Sequence, residues 1–130
     1  MCLQYHRLKV YEDDNNRIKV GYKMFRKQWS ENTYTNLYYD TRKKYVLGDW
    51  NSIDNIEQKS VATVSPCYSR KETKYYAAGF HFYTKPVYKL FPYVCIECIC
   101  EGILATGYEY HNYKDVSAFV AKSYRLMREV

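Results

Sequence analysis

Between Pro92 and Gly102 the chain reads Tyr93-Val94-Cys95-Ile96-Glu97-Cys98-Ile99-Cys100, the most apolar run in the sequence. Its β-branched and aromatic residues read as an extended strand at the centre of a sheet. Successive side chains of a strand face opposite sides, so Cys98 and Cys100 share one face and Cys95 takes the other. That placement argues against Cys95 and Cys98 as a redox pair or half a zinc site. Cys67 with His6, His81 or His111 supplies no second ligand pair at short spacing. The five cysteines, an odd number, are therefore read as reduced thiols, and no metal or cofactor is expected. Glu97 interrupts the run, and a carboxylate there must reach solvent, a ligand or a basic residue on a neighbouring strand. The basic neighbour is the expected partner.

The rest of the chain is read as one domain over residues 1–130, with 1–16 as an N-terminal arm. Arg17 to Arg26 alternates, with Ile18, Val20, Tyr22 and Met24 on one face and Arg17, Lys19 and Lys23 on a basic face expected to be solvated. Residues 28–36 read as a loop. Two short strands follow around Tyr38-Tyr39 and Tyr45-Val46-Leu47, with Asp40-Thr41 at a turn. Residues 49–58 fit a helical turn or an irregular loop equally well. Ser60 to Val64 is extended, and Tyr68 to Lys74 forms a basic loop. Tyr75 to Tyr83 reads as a strand in which Gly79 marks a bulge or the close approach of another backbone. Thr84 is placed to cap a short helix running to Phe91, with Pro86 near its first position. After Cys100, Glu101-Gly102 reads as a turn and Ile103 to Tyr110 as a second extended segment. At the end, Val116, Phe119, Val120, Tyr124 and Met127 fit a helix, while Ser123 to Val130 fits a strand after a helical turn; the second is preferred. The fold class expected is thus α+β, a mainly antiparallel sheet with one or two short helices.

Tyrosine makes up 17 of the 130 residues. Such rings suit strands and contact surfaces, where they supply area at low entropic cost. The net charge of +6, from 20 Lys and Arg against 14 Asp and Glu, attracts anionic partners. No apolar run approaches the roughly eighteen residues of a membrane span, and the first residues do not follow the signal-peptide pattern. A cytoplasmic protein with no membrane partner is expected. Exposed tyrosines and a free sheet edge favour a homo-oligomer.

Phosphate loops, nucleophile elbows, metalloprotease helices and calcium loops are absent from the sequence. The candidate ligand-binding residues are His81 and Tyr83, which share a strand face expected to meet a cleft or solvent while Phe80 and Phe82 take the core side, together with Tyr22, the cations Lys23, Arg26, Arg70, Lys71 and Lys85, and Glu97. Tyr75 and Tyr76 are further ring partners and Glu101 a further acid. No catalytic residue is assigned, although His81 and Glu97 could exchange protons if adjacent strands bring them together.

Four stretches carry a resemblance: Tyr22-Lys23-Met24, Gly79-Phe80-His81-Phe82, Val94-Cys95-Ile96-Glu97-Cys98 and the ending Arg125-Leu126-Met127-Arg128-Glu129-Val130. In these the chain resembles a group of small bacteriophage and prophage proteins of unassigned function. The resemblance implies an accessory role directed at a host system, as a sponge for a nucleotide-derived signal or a stoichiometric inhibitor of a host protein. Stacking rings with Lys and Arg on phosphates suit the first role. Nucleic-acid binding and a small enzyme similar to ADP-ribosyl transferases or nucleotide-cleaving enzymes are the alternatives.

Overall fold

A computed structural model describes residues 3–11, 17–37, 41–53, 59–62, 74–88, 90–111 and 114–130. Among them are nine strands: β1 Lys9–Val10, β2 Ile18–Gln28, β3 Thr33–Thr35, β4 Trp50–Ser52, β5 Lys59–Val61, β6 Tyr75–Ala77, β7 Phe80–Tyr83, β8 Tyr93–His111 and β9 Lys114–Glu129. Every pairing is antiparallel, and no helix occurs among the described residues. The expected α+β class is therefore corrected to all-β.

Each expected helix gives way for a definite reason. After Tyr83, the Thr84 amide donates to the Ser117 carbonyl at 3.1 Å, extending the β7–β9 pairing where a helix cap was expected. Val87 is then buried in the core. At the end of the chain, Ala118 to Ala121 are all buried, so β9 has apolar residues on both faces. That removes the period-2 alternation and leaves a pattern that imitates a helix. Trp50, taken as part of a helical turn or loop, lies in β4 opposite Arg125.

Nor does the apolar run end at Glu101-Gly102. β8 continues through it for 19 residues, with register shifts at Glu97/Cys98 and Ile103/Ala105. Gly102 has φ +67°, a conformation a side chain disfavours, and it lets β8 bend between the two pairing regions.

The sheet closes on itself. One edge of β8 pairs with β9 from Ile96↔Glu129 to His111↔Lys114, and its other edge pairs with β2 from Ile18↔Glu101 to Arg26↔Tyr93. β7 lies along the free edge of β9, and Tyr22↔Tyr83 joins it back to β2. β1 extends the β8 edge, β4 the β9 edge and β3 the end of β2. β5 and β6 form a separate pair.

Two cores result. Inside the closed sheet lie Phe25, Tyr34, Tyr45, Phe82, Ile96, Cys98, Cys100, Phe119, Tyr124 and Leu126. On the outer face Met24, Tyr83, Val87, Cys95, Leu104, Ala118 and Val120 are covered by Leu3, Ala62, Tyr76 and Ala77. Cys98 and Cys100 accordingly share a face and Cys95 takes the other, as the alternation requires. Burial pushes all three thiols up, Cys98 to about 12, so they remain protonated and unreactive at neutral pH. The N-terminal arm is part of this packing: Leu3 is fully buried and its amide donates to the Tyr76 hydroxyl at 3.0 Å.

The basic face of β2 is solvated at Arg17 and Lys19, as expected, and turns inward only at Lys23. Exposed Lys19 lies 5.0 Å from the Phe119 ring centre and half-buried Lys23 5.4 Å from that of Phe82, while Ile18 and Val20 are exposed. Gly21 between them allows the interior rings to approach. A Cβ there would sit 2.6 Å from Phe119 Cζ and 2.8 Å from Phe82 Cβ. Gly79 shows the close approach expected of it, a Cβ falling 2.8 Å from the Ala121 carbonyl oxygen. Because both rings at Gly21 are fully enclosed, Gly21→Ala is expected to destabilise the fold by about 1–3 kcal/mol, read as a lower urea midpoint with unchanged slope.

Candidate ligand-binding site

The described residues among those singled out in the sequence separate into five places. His81 and Tyr83 lie opposite Phe80 and Phe82 as expected, but their face packs into the outer core where a cleft or solvent was expected. His81 Nδ1 lies 2.6 Å from Glu109 Oε1, and the Tyr76 ring packs edge-on at 6.0 Å. Tyr83 is buried, with its ring 5.5 Å from that of His111. Glu109 is 2% exposed and His81 is the group that satisfies it. This pair is built like a buried structural bond between β7 and β8.

Glu97 is engaged elsewhere. It accepts from Arg128 Nε at 2.6 Å and from the Tyr22 hydroxyl at 3.2 Å, the basic neighbour expected for it being supplied by β9. The Arg128 bond holds the Glu97 carboxyl below the usual carboxylate range. His81 and Glu97 are thus committed to different partners, and the acid–base pair considered from sequence does not form.

Lys23 points into the sheet interior, where its ammonium donates to the His81 carbonyl at 3.2 Å. That bond satisfies a β7 carbonyl beside the seam with β2, whose pairing is confined to Tyr22↔Tyr83. Burial holds the Lys23 ammonium below its ordinary pKa, opposed by the thiols of Cys98 and Cys100 and by Glu109. Lys85 is exposed in the segment after β7, and Arg70 and Lys71 lie outside the described residues.

Arg26 stands in the one setting of this set that resembles a binding site. It lies on the outer face of β2, between Thr35 of β3 and Tyr93 of β8. With Gln28, Thr35, Asn36, Leu37, Thr41 and Tyr93 it lines a cleft of about 260 Å³. Its side chain is exposed and makes no hydrogen bond or ion pair with any described residue. It is the only charged residue among the described residues that line the cleft. Tyr93 is 37% exposed and presents part of its ring. Asn36 is held in place by donating to the Tyr45 hydroxyl at 3.1 Å. A guanidinium with no partner among the described residues, an aromatic face and amide and hydroxyl groups around it can hold a phosphate or carboxylate and stack or edge-bond a flat ring.

Sequence reasoning found Arg26 but missed Tyr93, Gln28 and Asn36, which lie 67, 2 and 10 positions from it. It also missed Glu109, although a visible signal existed. Glu109 is a lone carboxylate in an extended apolar run, the same signature that marked Glu97.

The chain matches no family model, no characterised protein and no solved structure. No helix among the described residues is long and apolar enough to cross a membrane.

Two outcomes follow from the ion pairs. His81→Ala strands a buried carboxylate and is expected to cost on the order of 2–3 kcal/mol in chemical denaturation while leaving the Arg26 cleft intact. At the β2 and β9 ends, Glu129 accepts from Tyr34 at 2.5 Å and pairs with Lys27 at 2.6 Å. Burial raises the Glu129 carboxyl, but those two partners outweigh it and its net pKa is lowered. A carboxyl depressed in the folded state stabilises fully above its unfolded pKa, about 4.3, and loses that contribution as pH falls through the folded value. Glu129→Gln should therefore lower stability by about 1 kcal/mol at neutral pH, a figure kept small by partial exposure, and should flatten the loss of stability below pH of about 4 in urea titrations.

Proposed function

We propose that the chain is a small, non-catalytic binding protein that takes an anionic, nucleotide-type ligand in the Arg26–Tyr93 cleft. The observation that carries this reading is the exposed Arg26 guanidinium, unpartnered among the described residues, in a polar cleft with an aromatic wall. In such a site the guanidinium takes the phosphate bidentately, and Gln28, Thr35 and Asn36 offer donors and acceptors for a sugar or base edge. The volume, about 260 Å³, suits one nucleotide unit better than an extended polymer. The net charge of +6 favours approach of an anion.

A non-catalytic role is supported by the engagement of the acid–base candidates. His81 is bonded to Glu109, and Glu97 to Arg128 and Tyr22. With the resemblance to small phage and prophage proteins, the reading becomes that of a cytoplasmic accessory protein that sequesters a nucleotide-derived signal of the host.

Calorimetry against mononucleotides, cyclic di- and trinucleotides and ADP-ribose tests it. Binding of at least one of these, weakened about tenfold or more by Arg26→Ala and unaffected by Lys85→Ala, is the expected result. Silence across the panel removes the reading. Binding that grows with oligonucleotide length and falls steeply with salt would replace it with nucleic-acid recognition.

A further inference from the structure

Beside the cleft, at the end of the sheet where β2 finishes and β8 begins, stands the most exposed apolar group among the described residues. Leu90 is 88% exposed, Phe91 75%, Tyr88 74% and Trp29 55%. Exposure this high means that the side chains protrude, since a residue set in a flat surface is shielded by its neighbours. They come from two segments, the turn after β2 and the connection before β8. The Lys27 amide donates to the Pro92 carbonyl at 3.1 Å, the Tyr93 amide to the Leu90 carbonyl at 3.2 Å, and the Trp29 and Phe91 rings stack with centres 5.9 Å apart. Trp29 is thus joined to the Leu90–Phe91 turn across two segments, with Tyr88 preceding it in the chain. Lone surface hydrophobes need no explanation, but a contiguous apolar tip does.

We infer that this tip is a docking element for an anionic lipid surface. Two features favour a bilayer over a protein groove or a nucleic acid. Its most exposed member is aliphatic, and Leu90 has no use in base stacking, whereas it partitions into the acyl boundary of a bilayer. Trp29 and Tyr88 have the amphipathic rings that settle at the level of lipid headgroups. The cations Arg26 and Lys85 are exposed on the flanking segments, and the chain carries a net charge of +6, complementary to anionic headgroups. Nucleic acid would instead require a longer track of unpaired cations, yet Lys27, whose ammonium lies 4.0 Å from the Trp29 ring centre, is paired to Glu129. The contact is peripheral: the tip enters the interface and nothing crosses it.

Arg26 is common to this inference and the nucleotide reading, but the two are distinguishable, since Leu90, Phe91 and Tyr88 are not among the residues that line the cleft. It is tested with the full chain carrying Trp50→Phe, which leaves Trp29 as the sole indole. Phosphatidylcholine vesicles containing phosphatidylglycerol should shift Trp29 emission to the blue and co-sediment the protein, and added salt should weaken both. Leu90→Glu with Phe91→Glu should reduce partitioning about tenfold or more while circular dichroism and calorimetric binding of any cleft ligand stay unchanged. Absence of a shift with anionic vesicles overturns the inference. So does undiminished partitioning of the double variant, or Trp29 quenching by single-stranded oligonucleotide with no response to vesicles.

Discussion

The pairing of β8 with β9 is the interaction on which the rest of the structure depends. These two strands, 19 and 16 residues long, run together from Ile96↔Glu129 to His111↔Lys114. Neither could stand alone, because a hairpin of any length exposes two edges and two faces to water. Their free edges recruit the other strands of the main sheet: β8 takes β2 and β1, and β9 takes β7 and β4. The strands are too long for a flat sheet of this size, so they bend. Gly102, at φ +67°, lies between the two register shifts and allows the change of direction. Bending brings β7 to β2 at Tyr22↔Tyr83, and the inner rings then have no route to solvent.

Closure explains why polar groups lie where they do. A sheet that closes has an interior on one side and an exterior that must still be covered, here by the N-terminal arm and by Ala62, Tyr76 and Ala77. Every polar atom trapped between those layers needs a partner. Lys23 finds the His81 carbonyl, His81 finds Glu109, and the Leu3 amide finds the Tyr76 hydroxyl. Some of the tyrosines serve this arrangement, the ring packing into the fold while the hydroxyl reaches a polar group. Tyr34 does so at Glu129 and Tyr22 at Glu97.

Local order was legible in the sequence wherever one strand face met water. The alternation of β2, the division of Cys98 and Cys100 from Cys95, and that of His81 and Tyr83 from Phe80 and Phe82 all appear in the fold. Legibility failed where both faces are buried, in Gly102–Ala105 and Ala118–Ala121, because periodicity there carries no directional information. It failed in part for β2. Alternation identifies which residues share a face but not how deep each one lies, and Lys23 was read as solvated together with Arg17 and Lys19, which holds for those two and not for Lys23. The inside is decided by closure, a property of pairings far apart in sequence such as Ile18 with Glu101, 83 positions apart.

The same limit governs the candidate site. Every residue given weight for its rarity in the sequence, His81 and Glu97 foremost, turned out to be bonded within the fold. A rare polar residue in an apolar run must be bonded, whether or not it has a function, so rarity marks burial at least as strongly as it marks chemistry. Arg26 had no such distinction, being one of 20 basic residues. What distinguishes it is the lack of a partner among the described residues, on a face where Tyr93 and Asn36 are already fixed by β8 and by Tyr45. A fixed polar wall around an uncommitted guanidinium needs little further ordering to hold an anion, and that low entropic cost separates a binding site from a collection of surface charges.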